Sequence, residues 1–387
     1  MYDAVIVGAR VAGSATARLL AARGLRVLVV DRATFPSDTV STHCIDPLGI
    51  QLLDNWGLFD AVLATGAPRI RQFVLTIGDF ELPGEPSGDG VTAPRRTVLD
   101  KLFVDVARDA GAEVREGVKV TELLRDGDGR VTGIRCVDRD GTTSDEMATI
   151  VVGADGAHSF VARQVDAETY GTRQGQGSGY YSYWSGTGLT AVELCFSPAV
   201  FAGVFPTNDD AVCVFGGRVS ESFVEEASKD RDGAVVAAVR EASPRVGEAI
   251  ANGKREETFV KWKAEPGFFR VPYGPGWALV GDAGFHIDPV TGRGIGHAFR
   301  DAQLLADAIA GSDGTIDERL ASYHRVRDEM STEMYRVTQD IAELGGTNED
   351  LLGLFGALQV ESERLCDIAA GWAQVPSPTA AGAAATS

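Results

Sequence analysis

The stretch MYDAVIVGARVAGSATARLLAARGLRVLVVDR, residues 1–32, decides how the chain begins to fold. Ala4-Val5-Ile6-Val7 is an apolar run without alternation, the pattern of a parallel strand buried on both faces. It stops at Gly8. From Ala12 the apolar residues Ala15, Leu19, Leu20 and Ala22 recur at helical spacing until Gly24, and Arg26 to Val30 then reads as a second buried strand closing on Asp31. This is a βαβ unit whose first turn, GARVAG, stands where a dinucleotide-binding loop reads GxGxxG. Gly8 permits the tight turn, Gly13 lets the helix approach the sheet, and the helix start at Ala12 points free N–H groups at a diphosphate. Asp31, with Arg32 beside it, is placed for the ribose hydroxyls. Arg10 replaces the middle glycine, which modifies the motif by offering a guanidinium to phosphate oxygens.

Either a nicotinamide or a flavin dinucleotide would suit that unit, and later stretches choose between them. WALVGDAGFHIDPVTGRGIGHAFRDAQLLADAI, from residue 277, holds a buried strand ending in Gly281-Asp282, a Pro/Gly-rich loop and an amphipathic helix. IVVGADGAHSFVARQ carries Asp155-Gly156 after a strand, with Ser159 and Arg163 following, and APRRTVLDKLF carries Arg96 ahead of Leu99-Asp100. In order and spacing these resemble the fingerprints of FAD-dependent oxidoreductases of the p-hydroxybenzoate hydroxylase type, including their geranylgeranyl-reductase-like branch. The resemblance spans most of the chain. It implies an α/β fold, a glutathione-reductase-type FAD-binding domain with an inserted mixed-sheet substrate lobe and C-terminal helices. It also implies that Asp282 meets ribityl and phosphate oxygens and that Arg96 and Asp155 contact the cofactor. Val120 would present backbone groups to adenine, and Pro289, Gly292, Gly294 and Ile295 would run beside the isoalloxazine, where a helix N-terminus favours negative charge. NADPH or NADH would be the reductant.

Residues 1–67, 95–175 and 269–310 are expected to form the FAD domain, 68–94 and 176–268 the lobe, 311–375 the C-terminal helices (one over Glu318 to Leu344), and 376–387 a disordered tail. The lobe reads as four strands in a meander, Gly179–Ser185, Ala191–Phe196, Phe201–Phe205 and Ala211–Phe215. Tyr181, Tyr183, Trp184, Phe201, Phe205 and Pro206 are its candidate contacts for an apolar, aromatic or polyketide-like substrate. His43 and His286 are candidate acid/base residues. The resemblance leaves three chemistries open. These are oxygenation by O2 through a flavin C4a-hydroperoxide, in secondary metabolism, reduction of a carbon–carbon double bond, and oxidase or dehydrogenase turnover. A flavin-binding carrier without turnover is a further alternative. The lack of a WxWxIP stretch weighs against halogenation.

Composition bounds these readings. Fifty-five acidic against 36 basic residues give a formal charge of −19, which argues against nucleic acid or an anionic membrane surface as partner. Five cysteines without CxxC spacing suggest neither a disulfide framework nor a zinc site, and fit a reducing, cytoplasmic setting. No apolar run approaches the roughly 18 residues of a membrane span. Monomer and homodimer both remain open.

Overall fold

The computed structural model describes residues 1–219, 222–343 and 346–374. The end expected for the first C-terminal helix at Leu344, and the tail over 376–387, lie outside them.

The opening unit forms as its pattern requires, with the strand Tyr2–Val7, the helix Val11–Ala21 and the strand Val27–Asp31. Around it a sheet is ordered Tyr273–Gly274, Trp277–Leu279, Thr143–Gly153, Tyr2–Val7, Val27–Asp31, Glu113–Glu116, parallel except at the outermost first strand. Lys119–Arg125 and Val131–Val137 continue antiparallel from the long strand Thr143–Gly153. Every residue from Val11 to Leu20 is buried. Ala12, Gly13, Ala15 and Ala17 are small enough for that helix to sit between the sheet and the helices Arg96–Asp109 and Gly294–Ala310.

A second sheet is built from two distant pieces of chain. Its order is Lys254–Arg255, Ser178–Ser185, Val212–Arg218, Val200–Pro206, Val192–Ser197, Phe73–Ile77, Phe80–Gly84, with Val260–Lys263 also paired to Ser178–Ser185. The sheet is mixed because Val192–Ser197 runs parallel to Phe73–Ile77 while its other pairs are antiparallel. The four central strands are those expected, but not as a simple meander. Ser178–Ser185 pairs with Val212–Arg218, the last of the four, and not with its neighbour in sequence. The helices Ser222–Lys229, Arg231–Ala242 and Pro244–Asn252 form the cover on one face, where Val235, Val239, Val246 and Ile250 pack with Tyr180 and Trp184. The strand reading of the lobe names none of these helices; Arg231–Ala242 has only a shallow apolar stripe, whereas Ser222–Lys229 and Pro244–Asn252 are amphipathic. A small third sheet joins Thr169–Arg173, Gly267–Arg270 and Phe285–His286. Ile316–Ala342 and Asn348–Ala370 complete the described chain, each opened by a capping box on Thr315 or Thr347.

Candidate active site

The two large sheets enclose between them a cavity of about 1010 Å³. Its floor begins at the GARVAG turn. Gly8 has φ of +107°, and a Cβ there would stand 2.4 Å from the Ala154 carbonyl oxygen. At Gly13 a Cβ would stand 1.9 Å from the Gly8 oxygen. Both positions therefore require glycine, and Gly13 acts from behind the wall. Arg10 does not need to be glycine, since its φ of −77° is ordinary for any L residue. Its guanidinium leaves the turn to pair with the buried Asp100 and to donate to the Asp38 carbonyl at 2.9 Å. Asp100 also accepts from Arg96 at 2.8 Å. Two cations thus hold one carboxylate beside the loop of residues 37–42.

Gly8, Arg10, Ala12, Asp31, Arg32, Arg96, Val120, Asp155, Asp282, Pro289, Gly294 and Ile295 all line the cavity. Asp31 accepts from the Ala9 N–H at 2.7 Å and the Ala33 N–H at 2.8 Å, which fixes its carboxylate at the strand end. Asp155 is occupied by local bonds, from Ser159 and from the Phe160 N–H at 2.6 Å, and burial raises its pKa against those donors. Asp282 differs. It is exposed to the cavity at the turn Gly281–Ala283 and makes no hydrogen bond within the described protein. Gly292 takes φ of +67° and packs on Cys44, behind Pro289 and Val290, which face the cavity. The helix Gly294–Ala310 starts at the same wall without a side-chain cap, so its first N–H groups remain available. A narrow glycine-floored turn, an unpartnered carboxylate and an uncapped helix N-terminus are the donors and acceptors that a flavin dinucleotide needs, and the residues present fit it.

The roof comes from the second sheet. Leu194, Phe196, Phe201, Phe205, Phe215 and Trp262 line the cavity above the cofactor loops. Of the six substrate candidates only Phe201 and Phe205 are among them. Strand alternation puts Trp184 on the far face, under the covering helices, and Pro206 at the end of its strand lies outside the lining. Tyr181 and Tyr183 lie on the near face but are buried outside the cavity lining, Tyr181 beside Phe215 of the neighbouring strand at 4.6 Å between centroids and Tyr183 hydrogen-bonded to His43. Leu194, Phe196, Phe215 and Trp262 were missed. Their signal was the same alternation, legible once the facing side of each strand is known.

His43 is buried, with φ of +63°, and its Nε2 lies 2.8 Å from the Tyr183 hydroxyl. It is absent from the cavity lining, and burial, reinforced by Arg96 and Arg95, lowers its pKa to about 3. His43 is therefore neutral across the physiological range and positions the loop beside Cys44. His286 does line the cavity, with Nδ1 donating to the Pro266 carbonyl at 3.0 Å and its ring stacked on Phe268. Asp288, two residues on, also borders the cavity and was not anticipated.

Residues 1–338 match the model of a family described as FAD binding domain. The chain belongs to that family. It is an FAD-dependent oxidoreductase, of the group A flavoprotein superfamily. Its relatives include digeranylgeranylglycerophospholipid reductase 2 of Methanopyrus kandleri, 30% identical over 336 residues (83% of this chain, 80% of the relative). Another is the menaquinone reductase of Mycolicibacterium smegmatis, 29% identical over 81% of this chain and 78% of its own. Among solved structures a flavin-dependent brominase superposes with TM-score 0.81 at 18% identity, over 99% of this chain and 98% of that one. An aklavinone-11 hydroxylase with FAD and aklavinone superposes with TM-score 0.69 at 20% identity, over 87% and 68%. At those identities the structures share the fold with this oxidoreductase. Among the described residues no helix is long and apolar enough to cross a membrane, and no group of His, Cys, Asp and Glu could hold a metal.

Proposed function

We propose that this oxidoreductase is a monooxygenase that uses NADPH or NADH and O2 to oxygenate an apolar, aromatic or polyketide-like small molecule. The observation that carries the reading is the roof, in which Leu194, Phe196, Phe201, Phe205, Phe215 and Trp262 face the cofactor loop across one cavity. Flat apolar walls orient a ring and exclude water from the reacting edge. The bound flavin supplies reducing equivalents and activates oxygen. In this reading Gly8, Gly13 and the start of the helix Val11–Ala21 hold the diphosphate, and Asp31 takes the ribose hydroxyls. Asp282 would accept from ribityl hydroxyls, and Gly294 and Ile295 would offer N–H groups to the pyrimidine edge. His286, whose Nδ1 donates to the Pro266 carbonyl, is a polar residue of the cavity wall. Arg163, Lys261 and Lys263 on the cavity wall supply positive charge for a phosphate-bearing reductant in a chain of net charge −19.

A second reading, reduction of a carbon–carbon double bond, draws on the two reductases to which the chain is 29–30% identical. Product mass separates the two. Reduced protein with candidate aromatic substrates is mixed rapidly with oxygenated buffer while the flavin spectrum is recorded. A transient before reoxidation, with one oxygen gained by the substrate, is expected. Direct return to oxidised flavin with every substrate, or two hydrogens gained under anaerobic conditions, overturns the monooxygenase.

A further inference from the structure

The glycines of the second sheet serve different ends. At Gly179 a Cβ would stand 2.6 Å from the Gly216 carbonyl oxygen, and at Gly217 it would stand 2.5 Å from the Ser178 carbonyl oxygen, so backbone packing excludes a side chain at either. Gly203 has no such reason. It lies in the strand Val200–Pro206 outside the left-handed region, and the nearest atom to a Cβ there would be Cε2 of the Phe205 ring at 3.0 Å, the far end of a side chain. The nearest backbone atom, the Glu193 carbonyl oxygen, would be 3.8 Å away. A glycine inside a strand costs backbone entropy and forfeits packing, and where neither φ nor crowding requires it, it marks a place that another group approaches.

The register shows what surrounds it. Gly203 pairs with Leu194 on one side and with Phe215 on the other, and alternation puts Phe201 and Phe205 on the same face, two residues before and after. All of these residues line the cavity. Leu194 and Phe215 stand on strands two spacings apart, roughly 9.5 Å between backbones, whereas Phe201 and Phe205 are separated by roughly 13 Å along their strand. The missing side chain therefore leaves a recess longer than it is wide, apolar on four sides and open to the cavity, with the Phe205 ring as one end wall.

We propose that Gly203 is the specificity-determining residue of this roof, and that its recess receives the far ring of a fused, polycyclic arene. The proposal rests on the reading that an apolar substrate lies under the roof. A slot of those proportions takes a flat edge lengthwise between Leu194 and Phe215, and a single ring meets the surrounding side chains without reaching its bottom. A side chain at position 203 fills the slot directly or pushes the Phe205 ring into the cavity. The residue acts on which molecules bind, and no bond is made or broken at it.

The test is equilibrium binding to the oxidised, FAD-loaded protein, read as the perturbation of the flavin absorbance spectrum, with benzyl alcohol as a one-ring probe and 2-naphthalenemethanol as a two-ring probe. Wild type is expected to bind the two-ring probe at least about 10-fold more tightly, the effect of burying the second ring. Gly203→Val is expected to remove most of that preference by weakening the two-ring probe. Gly203→Ala, whose methyl displaces the Phe205 ring by a few tenths of an ångström, is expected to remove part of it. Both variants should retain FAD, since Gly203 belongs to the roof and not to the cofactor floor. Equal weakening of both probes, a preference unchanged in both variants, or no response of wild type to either probe overturns the proposal. Loss of FAD by both variants overturns it as well, because the glycine would then serve the packing of the lobe. The measurement uses neither reductant nor oxygen, so failure of the oxygenation reading is seen separately, in the rapid-mixing experiment.

Discussion

Single residues at this site differ in what they tolerate, and the reason is whether the neighbour is backbone or open cavity. Gly13→Ala drives a Cβ to 1.9 Å from the Gly8 oxygen, which cannot yield without moving the strand end. A loss of at least about 3 kcal/mol and of bound flavin is expected, read by denaturant unfolding and by absorbance of the purified protein. Asp282→Ala should behave oppositely. Its carboxylate makes no hydrogen bond with the described protein, so stability should stay within about 0.5 kcal/mol while FAD affinity falls by roughly 10- to 100-fold, measured by calorimetry. Asp288 gives a pH-dependent prediction. Its folded pKa of about 6 lies above the ordinary value of 3.8, so the folded state binds the proton more tightly and stability falls as pH rises through that interval. Asp288→Asn should therefore be more stable than wild type at alkaline pH, by about 1–3 kcal/mol, and gain nothing below the ordinary carboxylate pKa. Equal unfolding curves at high pH would refute it.

At the scale of elements, three segments far apart in sequence are tied by one carboxylate. Asp100, fully buried in the helix Arg96–Asp109, receives Arg10 from the GARVAG turn and Arg96 from its own helix. Arg10 in turn donates to Ser37 and Asp38 of the loop that runs on to His43. Asp100→Ala leaves two cations facing each other without their counter-charge, a change expected to cost about 3–5 kcal/mol, measurable as a lowered Tm. Arg10→Ala leaves the pair Arg96–Asp100 intact and should cost less, by half or more. The substitution in the glycine motif is thus legible only in part from sequence. That Arg10 is sterically permitted follows from its ordinary φ, but its partner lies 90 residues away and no local pattern announces it. The lobe repeats the lesson. Each strand was visible as an aromatic or β-branched run, whereas the pairing of Ser178–Ser185 with Val212–Arg218 was not, because register between non-neighbouring strands is set by packing across the sheet.

For the whole molecule, the site exists only where the two large sheets meet. Saturating FAD should stabilise the folded protein by mass action, by about 2.7 kcal/mol at a hundredfold excess over Kd, read as a rise in Tm that grows with FAD concentration. The sequence by itself determined the βαβ opening and the glycines of its turn, since those are local, and pointed to FAD through a resemblance that spans most of the chain. A turn that needs Gly8 and Gly13, a strand that ends on Asp31 and a loop of the form GD…PVTGRG each carry their reason within a few residues. Tertiary structure alone decided the roof. Alternation along Ser178–Ser185 says that Tyr181 and Trp184 face opposite ways, but which way is inward, and whether an inward ring reaches the cavity or is covered by another, depends on what packs against the sheet. Asp288 was invisible for the same reason. An Asp before Pro is an ordinary turn residue in sequence, and only the fold shows that it is buried with one oxygen unpartnered.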